Sequence, residues 1–268
     1  MNGNKSAPLG VFDSGVGGLT VVAEIHRLLP RESYIYYADT AHVPYGPRDP
    51  RELKGFASNI TSFLAGEGCK MIIIACNTST SLAYEELKTR YDIPLIGVIE
   101  PGVDEALKVT VSGRIGVIGT VATINSGSYQ NLIKKKSPQA QVTAVPCPLL
   151  VPMVEAGKIR GDEVREALAA YLRPLQQDRI DTLILGCTHY PFLLPAIRDI
   201  AGPSVTVVDP ALETVRLAAL KLQKLDLLQE EGAPDRRYYA SGDPEAFRRM
   251  GSRFLGQKDI GPVRKIEL

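Results

Sequence analysis

The chain has 268 residues, of which 44% are hydrophobic and 23% are charged, as is usual for a globular protein. Its 31 basic and 30 acidic side chains leave a net charge of +1, which argues against a broad nucleic-acid or anionic-membrane surface. No apolar run approaches the roughly 20 residues that span a bilayer. The amino terminus does not resemble a signal peptide, so we expect a cytoplasmic protein whose four cysteines are reduced thiols.

Apolar runs and turn residues predict strands that alternate with helices along most of the chain. In the first half, strands are expected at 8–12, 33–38, 71–75 and 95–99, with helices from about 19, from about 50 to 65, and after 77. In the second half, strands are expected at 114–118, 141–145, 182–185 and 205–208, with helices around 128–136 and 162–176. The tail predicts a helix over 214–228, a strand at 238–240, a helix that begins at 243–244, and a closing segment over 263–268. This alternation is typical of parallel βαβ units.

The two halves align with each other. Three landmarks repeat at offsets of 106, 111 and 109 residues: Gly10 with Gly116, Cys76 with Cys187, and Glu100-Pro101 with Asp209-Pro210. A nearly constant offset indicates an internal duplication. Eight strand–helix units also fit a closed barrel, and half-barrels can repeat too.

We favour two open sheets, because a pseudo-two-fold axis between them would place Cys76 and Cys187 on opposite walls of one cleft. The predicted fold class is therefore α/β, with two similar parallel-sheet domains related by pseudo-two-fold symmetry and an active site in the cleft between them. The first domain is predicted to be discontinuous, 1–98 plus 210–268, since the tail has no partner in the repeat. The second domain is predicted over 99–209.

Residues that can do chemistry gather at or just after the predicted strand ends. In parallel α/β sheets, ligands bind beyond the carboxyl ends of the strands. These candidate site residues are Asp13, Ser14, Tyr45, Cys76, Asn77, Thr78, Thr120, Cys187, Thr188 and His189.

Two of the four cysteines stand out by position. Cys76 and Cys187 each lie between a strand end and a helix start, where the helix dipole and free N–H groups are expected to lower a thiol pKa. A thiolate held in this way can act as a nucleophile or as a base, with Asp13 and His189 as possible proton partners. The other two cysteines, at 69 and 147, are expected to be small buried hydrophobes.

Several other features have plainer interpretations. The glycine-rich turn at 15–18 matches neither a P-loop nor a dinucleotide fingerprint, and its N–H groups suit a carboxylate better than a nucleotide. His26 and His42 are interpreted as ordinary helix and loop histidines, and Glu155 as a helix-surface charge. The sequence has three histidines and no C-x-x-C, so we expect no zinc site, and no lysine lies in a recognisable pyridoxal motif.

Four motifs occur in a fixed order: F-D-S-G-V-G-G at 12–18, P-Y-G at 44–46, A-C-N-T at 75–78 and G-C-T-H-Y-P at 186–191. With V-P-M-V-E at 151–155 and G-D-P-E at 242–245, they make the chain resemble the glutamate racemases of the cofactor-independent amino-acid racemase family. The likeness covers nearly the whole chain. It departs at His42, where the family often has arginine, and at 79–81, where smaller residues are common.

The resemblance implies a fold, an activity and a set of roles. It implies a chain of two α/β domains with a cleft between them, and a protein that often forms homodimers. It also implies that the enzyme uses no cofactor, acts on glutamate, and supplies D-glutamate for peptidoglycan. Cys76 and Cys187 would be the catalytic bases, assisted by Asp13 and His189 respectively. The residues that would bind or orient glutamate are Asp13, Ser14, Tyr45, Gly46, Asn77, Thr78, Thr188 and His189, with Thr120, Thr123 and Glu155 as weaker candidates.

Three alternatives stay open at this point. A racemase or isomerase of the same family can act on aspartate or another dicarboxylate. A ligand-binding or regulatory protein can use the same fold with inert thiols. A thiol hydrolase is a weaker alternative, and it needs only one of the two cysteines.

Overall fold

The computed structural model describes residues 4–268. Residues 1–3, which belong to the predicted first domain and to the amino terminus discussed above, lie outside the described part. The strands within that part are Leu9–Asp13 (β1), Tyr34–Ala38 (β2), Met71–Ile74 (β3), Leu95–Gly97 (β4), Arg114–Gly119 (β5), Gln141–Pro146 (β6), Thr182–Gly186 (β7), Thr206–Val208 (β8), Arg236–Ala240 (β9) and Val263–Lys265 (β10).

Helices connect most consecutive strands. They are Leu19–Leu28 (α1), Pro50–Gly66 (α2), Asn77–Arg90 (α3), Ile99–Val109 (α4), Val121–Asn125 (α5), Ser128–Lys136 (α6), Leu150–Glu155 (α7), Asp162–Gln177 (α8), Leu194–Ala201 (α9), Pro210–Lys224 (α10) and Pro244–Phe254 (α11). A short 3₁₀ helix, Tyr190–Leu193, precedes α9.

The strands form two separate sheets in which every described pairing is parallel. The first sheet has the order β10-β9-β2-β1-β3-β4, and the second has the order β6-β5-β7-β8. This confirms the predicted α/β class with two parallel-sheet units and excludes the single closed barrel. The order β2-β1-β3-β4 in the first sheet is the same as β6-β5-β7-β8 in the second, as a duplication requires.

The tail extends the first sheet. Strand β9 pairs with β2, and β10 pairs with β9, so both tail strands add to one edge of the sheet that the first four strands begin. The bounds proposed for the two domains, 1–98 with 210–268 and 99–209, stay a prediction.

Both sheets are covered by apolar side chains on their two faces, as expected for parallel sheets. In the first sheet, Val11 belongs to the core cluster on one face and Phe12 to the cluster on the other. In the second sheet, Leu183 and Ile184 divide between two clusters in the same way. The central strands of each sheet are therefore packed on both faces, and the side chains at their carboxyl ends extend from a buried frame.

One predicted boundary shifts in a useful way. Strand β4 stops at Gly97 and α4 begins at Ile99, so Glu100 lies in the first turn of a helix and not at a strand end. A carboxylate and a proline suit a first turn, which explains the shift. The caps of α4 and α10 are Val98 and Asp209, which are 111 residues apart, the same separation as Cys76 and Cys187.

The tail helix also begins earlier than the predicted 214–228, because Asp209 caps α10 by accepting the N–H of Ala211 at 3.0 Å. No helix within residues 4–268 is long and apolar enough to cross a membrane.

Candidate active site

A cavity of about 160 Å³ lies where the carboxyl ends of the two sheets face each other. Among the described residues, no lysine or arginine lines it. Its lining residues are Ser14, Pro44, Tyr45, Gly46, Pro47, Cys76, Asn77, Thr78, Thr120, Val121, Cys147, Pro148, Val151, Pro152, Cys187, Thr188 and His189. The cavity therefore receives one thiol from the end of β3, Cys76, and another from the end of β7, Cys187.

Cys76 is the N-cap of α3. Its Sγ accepts the backbone N–H of Ser79 at 3.5 Å, and its side chain is buried. Burial and then the nearby Asp13 raise the pKa of the Cys76 thiol to about 12, although the N–H of Ser79 acts in the opposite direction. The lowered pKa predicted from the helix terminus is therefore wrong for Cys76 in the free protein, because desolvation and a neighbouring carboxyl group outweigh one N–H donor.

Cys187 has a different neighbourhood. Its Sγ lies 3.7 Å from Nδ1 of His189, and Nε2 of His189 lies 2.6 Å from Oε1 of Glu155. Burial alone would lower the pKa of His189, but the bonds to Cys187 and Glu155 raise it well above its usual value. These three residues form a buried chain in which the imidazole can carry a proton between a thiol and a carboxylate.

Glu155 is the residue whose place the local sequence pattern misjudged, and only the family resemblance marked it as a weaker candidate. It ends the short helix α7, and its side chain is only 23% exposed, so its interpretation as a helix-surface charge is wrong. Its partner His189 is 34 residues away in the chain, and no local pattern marks such a pair.

Asp13 lies behind the cavity lining at the end of β1. Its side chain is fully buried and accepts the N–H of Gly15 at 3.0 Å and the hydroxyl of Thr188 at 3.1 Å. Burial raises the pKa of Asp13, although His189 and the N–H groups of Gly15 and Gly18 act in the opposite direction. The glycine-rich turn thus directs two of its N–H groups to a carboxylate of the chain itself.

The same turn approaches the second sheet closely. A Cβ atom at Gly17 would collide with Thr188 and His189, and one at Gly15 would lie 2.8 Å from Oε1 of Glu155. A side chain at Gly17 would therefore displace Thr188 or His189, and one at Gly15 would displace the carboxylate of Glu155.

Hydroxyl groups join the two walls of the cavity. Oγ1 of Thr78, from α3, lies 2.9 Å from Oγ1 of Thr120 and 3.2 Å from Oγ1 of Thr123. The hydroxyl of Tyr129 donates to Oδ1 of Asn77 at 2.6 Å. Both contacts link α3 of the first sheet to elements beside the second sheet, so the lining is shared between the two halves.

The P-Y-G loop is held by a buried carboxylate. The hydroxyl of Tyr45 donates to Oδ2 of Asp39 at 2.5 Å, while Oδ1 of Asp39 accepts from Ser241 at 2.7 Å and lies 2.8 Å from Nδ1 of His42. Gly46 follows, and a Cβ there would lie 3.4 Å from Cβ of Thr120. The loop is thereby bonded to the tail through Asp39 and Ser241, and it lies close to Thr120 of the second half.

The structure brings the candidate site residues together around one cavity. Ten of the eleven predicted site residues line the cavity, and Asp13 reaches it through Thr188. The two cysteines expected to be inert are both buried, but Cys147 also lines the cavity, beside the site, whereas Cys69 lies in the core of the first sheet. Within residues 4–268, no group of three or more His, Cys, Asp or Glu side chains could hold a metal ion.

Comparison with known proteins agrees with this geometry. A family model described as Asp/Glu/Hydantoin racemase matches residues 9–218. A glutamate racemase of Desulforudis audaxviator is 44% identical over 265 residues, which cover 96% of this chain and 97% of that protein.

Solved structures give the same result. A glutamate racemase isoform from Bacillus anthracis superposes with a TM-score of 0.95 at 39% identity and covers 99% of both chains. The glutamate racemase of Francisella tularensis, whose crystal structure contains D-glutamate, superposes with a TM-score of 0.92 at 36% identity and covers 98% of both chains. The chain therefore belongs to the Asp/Glu/Hydantoin racemase family, and it is an amino-acid racemase, an isomerase.

Proposed function

We propose that the protein is a glutamate racemase that interconverts L-glutamate and D-glutamate with two thiols. The observation that supports this proposal is the presence of Cys76 and Cys187, from two different sheets, in one cavity. Racemisation removes the Cα proton from one face of the amino acid and returns a proton to the other face. Two bases on different walls can do both while the substrate barely moves.

The proposed reaction has two proton transfers. One cysteine, as a thiolate, takes the Cα proton, and the electron pair of the C–H bond passes into an enolate-like anion. The other cysteine, as a thiol, donates its proton to the opposite face and is left as the thiolate. By resemblance to the family, Cys76 accepts the proton of D-glutamate and Cys187 accepts the proton of L-glutamate.

Two acid–base partners support these transfers. His189, held 3.7 Å from Cys187 and bonded to Glu155, would stabilise the Cys187 thiolate as an imidazolium. Asp13, whose negative charge helps to raise the pKa of Cys76, would take the proton that the Cys76 thiol must lose before it can act as a base. Glu155 acts through His189 and is therefore a positioning residue.

The remaining lining would bind the substrate and stabilise the developing negative charge. Because no lysine or arginine among the described residues lines the cavity, hydroxyl, amide and backbone N–H donors must do this in a water-poor space. The residues proposed for this role are Ser14, Tyr45, Gly46, Asn77, Thr78, Thr120 and Thr188, with Asp13 and His189 at its edges.

Glutamate is proposed as the substrate because the similar proteins described above are glutamate racemases, one of them crystallised with D-glutamate. The D-glutamate formed would supply peptidoglycan synthesis in the cytoplasm. We also propose that the protein acts as a homodimer, as members of the family often do. Aspartate or another dicarboxylate is the alternative substrate.

A circular-dichroism assay tests the proposal. Purified protein is mixed in turn with L-glutamate, D-glutamate and both enantiomers of aspartate, without added cofactor, and the ellipticity is followed. We expect it to decay to zero from both enantiomers of glutamate, with equal kcat/KM because enantiomers have the same free energy. Faster decay with aspartate would favour the alternative substrate. No decay with any of the four would contradict a racemase and favour a binding protein.

A further inference from the structure

We propose that Tyr36 is a positioning residue for this reaction: its hydroxyl fixes the glycine-rich turn and thereby aims the Asp13 carboxylate at the Cys76 side of the cavity. The inference rests on the proposed two-thiol function and deepens it. Tyr36 lies in the middle of β2, which is separated by β1 from β3, the strand that precedes Cys76, and it does not line the cavity.

The first step is a hydrogen bond to the turn. The hydroxyl of Tyr36 donates to the carbonyl oxygen of Gly15 at 2.7 Å, and the side chain is fully buried. Among residues 4–268, no other donor to this carbonyl is found. A buried carbonyl without a donor is costly, so the bond fixes the peptide group between Gly15 and Val16 and anchors the turn at that point.

The second step runs from this anchored part of the turn to the carboxylate, through the preceding peptide group, which lies between Ser14 and Gly15 and shares Cα of Gly15 with the anchored one. The N–H of Gly15 donates to Oδ2 of Asp13 at 3.0 Å, while Thr188 holds Oδ1 from the other sheet. If the turn moved at Gly15 after loss of the anchor, the N–H of Gly15 would move with it and Oδ2 would lose this donor. The carboxylate would then turn about the bond to Thr188.

The third observation is the space made for this hydroxyl. A Cβ atom at Gly18 would lie 2.6 Å from the Tyr36 hydroxyl and 2.6 Å from Cβ of Asp13, so the turn closes around both. The ring of Tyr36 stacks on Phe247 of α11, with centroids 5.8 Å apart and planes at 15°. Packing thus places the ring, and the absence of a side chain at Gly18 admits the hydroxyl.

The hydroxyl also stays a donor. Burial first, and then Asp13, Cys76 and Glu155, raise the pKa of Tyr36 well above its usual value. The proton is therefore retained at any pH at which the reaction can be assayed, and the carbonyl of Gly15 keeps its partner.

Tyr36→Phe is the test, and Tyr34→Phe is its matched control. Tyr34 lies in the same strand, is equally buried, and bonds through its hydroxyl to Tyr238 and to His26, away from the turn. Each variant loses one buried hydroxyl and keeps its ring. We expect kcat/KM for glutamate to fall about 5- to 10-fold in Tyr36→Phe, the order expected for one lost hydrogen bond, and to stay within about twofold in Tyr34→Phe.

A second readout separates positioning from general loosening. Asp13 assists Cys76, which breaks the Cα–H bond of D-glutamate but not that of L-glutamate. In Tyr36→Phe, the kinetic isotope effect on kcat/KM with α-deuterated D-glutamate should therefore rise, while that with α-deuterated L-glutamate should fall. Equal behaviour of the two enantiomers, or a Tyr36→Phe rate equal to that of Tyr34→Phe, would overturn the proposal.

Two further controls complete the design. Thermal unfolding establishes that each variant is folded. If Tyr36→Phe does not fold, Phe247→Leu, which removes the ring beneath Tyr36, must give the same asymmetry at smaller size, and its absence overturns the proposal. Wild-type protein is assayed in parallel, so that failure of the proposed function can be told from failure of the role proposed for Tyr36. A wild type that does not racemise glutamate refutes the proposed function itself, whatever the variants do.

Discussion

The two thiols occupy equivalent places in two sheets of the same strand order, yet their surroundings differ. Cys76 caps a helix of 14 residues, accepts one backbone N–H, and has a carboxyl group, Asp13, as its charged neighbour. Cys187 is followed by a 3₁₀ helix and has an imidazole, His189, at 3.7 Å. The repeated strand order sets where the two sulfur atoms lie. The neighbours that differ between the two halves, Asp13 and His189, give each thiol a different charged partner.

This difference has a chemical consequence for the free protein. The raised pKa of Cys76 keeps a proton on that thiol, and the raised pKa of His189 favours a positively charged imidazole beside Cys187. In the proposed mechanism, this is the state that takes the Cα proton of L-glutamate at Cys187 and returns a proton from Cys76. The proposed reaction of D-glutamate requires the opposite state, which Asp13 would help to form by accepting the proton of Cys76.

The largest expected effect comes from removing either thiol. Cys76→Ala and Cys187→Ala should each lower kcat for glutamate by about 10⁴-fold or more, since each removes one of two obligatory proton-transfer groups. Cys69→Ala is the matched control, because Cys69 is a buried thiol in the core of the first sheet, outside the cavity. Near-normal turnover by either of the first two variants, followed by circular dichroism, would refute the two-base scheme.

A smaller effect, which differs between the two enantiomers of glutamate, is expected from replacing the proton partners of the thiols, Asp13 and His189. Asp13→Asn and His189→Asn should each lower kcat/KM by about 10²-fold, the lower range for a lost acid–base group. The isotope effect with α-deuterated substrate should rise with D-glutamate in Asp13→Asn and with L-glutamate in His189→Asn. Isotope effects that move in the same way in both variants would break the assignment of one partner to each thiol.

Among changes to the thiols and their proton partners, the smallest effect is expected from Glu155. Glu155→Gln should lower kcat/KM by roughly tenfold, because it weakens a bond to a charged imidazole worth about 1.5–3 kcal/mol. It should also lower the pKa of His189, which the carboxylate helps to raise. With three histidines in the chain, an NMR titration of labelled imidazoles can follow each one. His26, whose pKa burial and then Arg236 lower to about 4, serves as the reference that should not move.

The pKa shifts of His189 and His26 also predict how the free energy of unfolding changes with pH. The pKa of His189 is raised on folding, so its stabilising contribution is complete below its usual pKa of 6.5 and is lost as pH rises through the folded value. The pKa of His26 is lowered, so its contribution is present above 6.5 and is lost as pH falls towards about 4. Glu155→Gln should weaken the pH dependence of the free energy of unfolding that comes from His189 and leave the part that comes from His26. A variant whose unfolding depends on pH as the wild type does would contradict the link between Glu155 and His189.

Much of the fold could be predicted because its strands are short apolar runs that end abruptly in glycine, cysteine or aspartate. Met71–Ile74 and Thr182–Gly186 are examples, and both have a neighbouring strand on each side. Helix starts were less predictable. Glu100 was assigned to a strand end because the apolar run continues to Ile99, and only the tertiary structure turns that residue into a helix.

The site was predictable to the extent that it follows strand ends. Most lining residues belong to motifs at those ends, and the parallel topology brings them together. Glu155 could not be found in this way, because it ends a helix and reaches His189 from another part of the chain. The raised pKa of Cys76 could not be predicted either, since it depends on burial and on the distance to Asp13, neither of which local sequence specifies.

Deuterium incorporation during the first few turnovers tests the central claim most directly. L-glutamate and D-glutamate are each incubated with the protein in D₂O, and product and recovered substrate are separated and analysed by mass spectrometry. Two thiols on different walls predict that the product carries deuterium at Cα while the recovered substrate still carries protium, from both starting enantiomers. Product that retains the substrate's own proton, or substrate and product that gain deuterium at the same rate, would mean that a single base serves both faces.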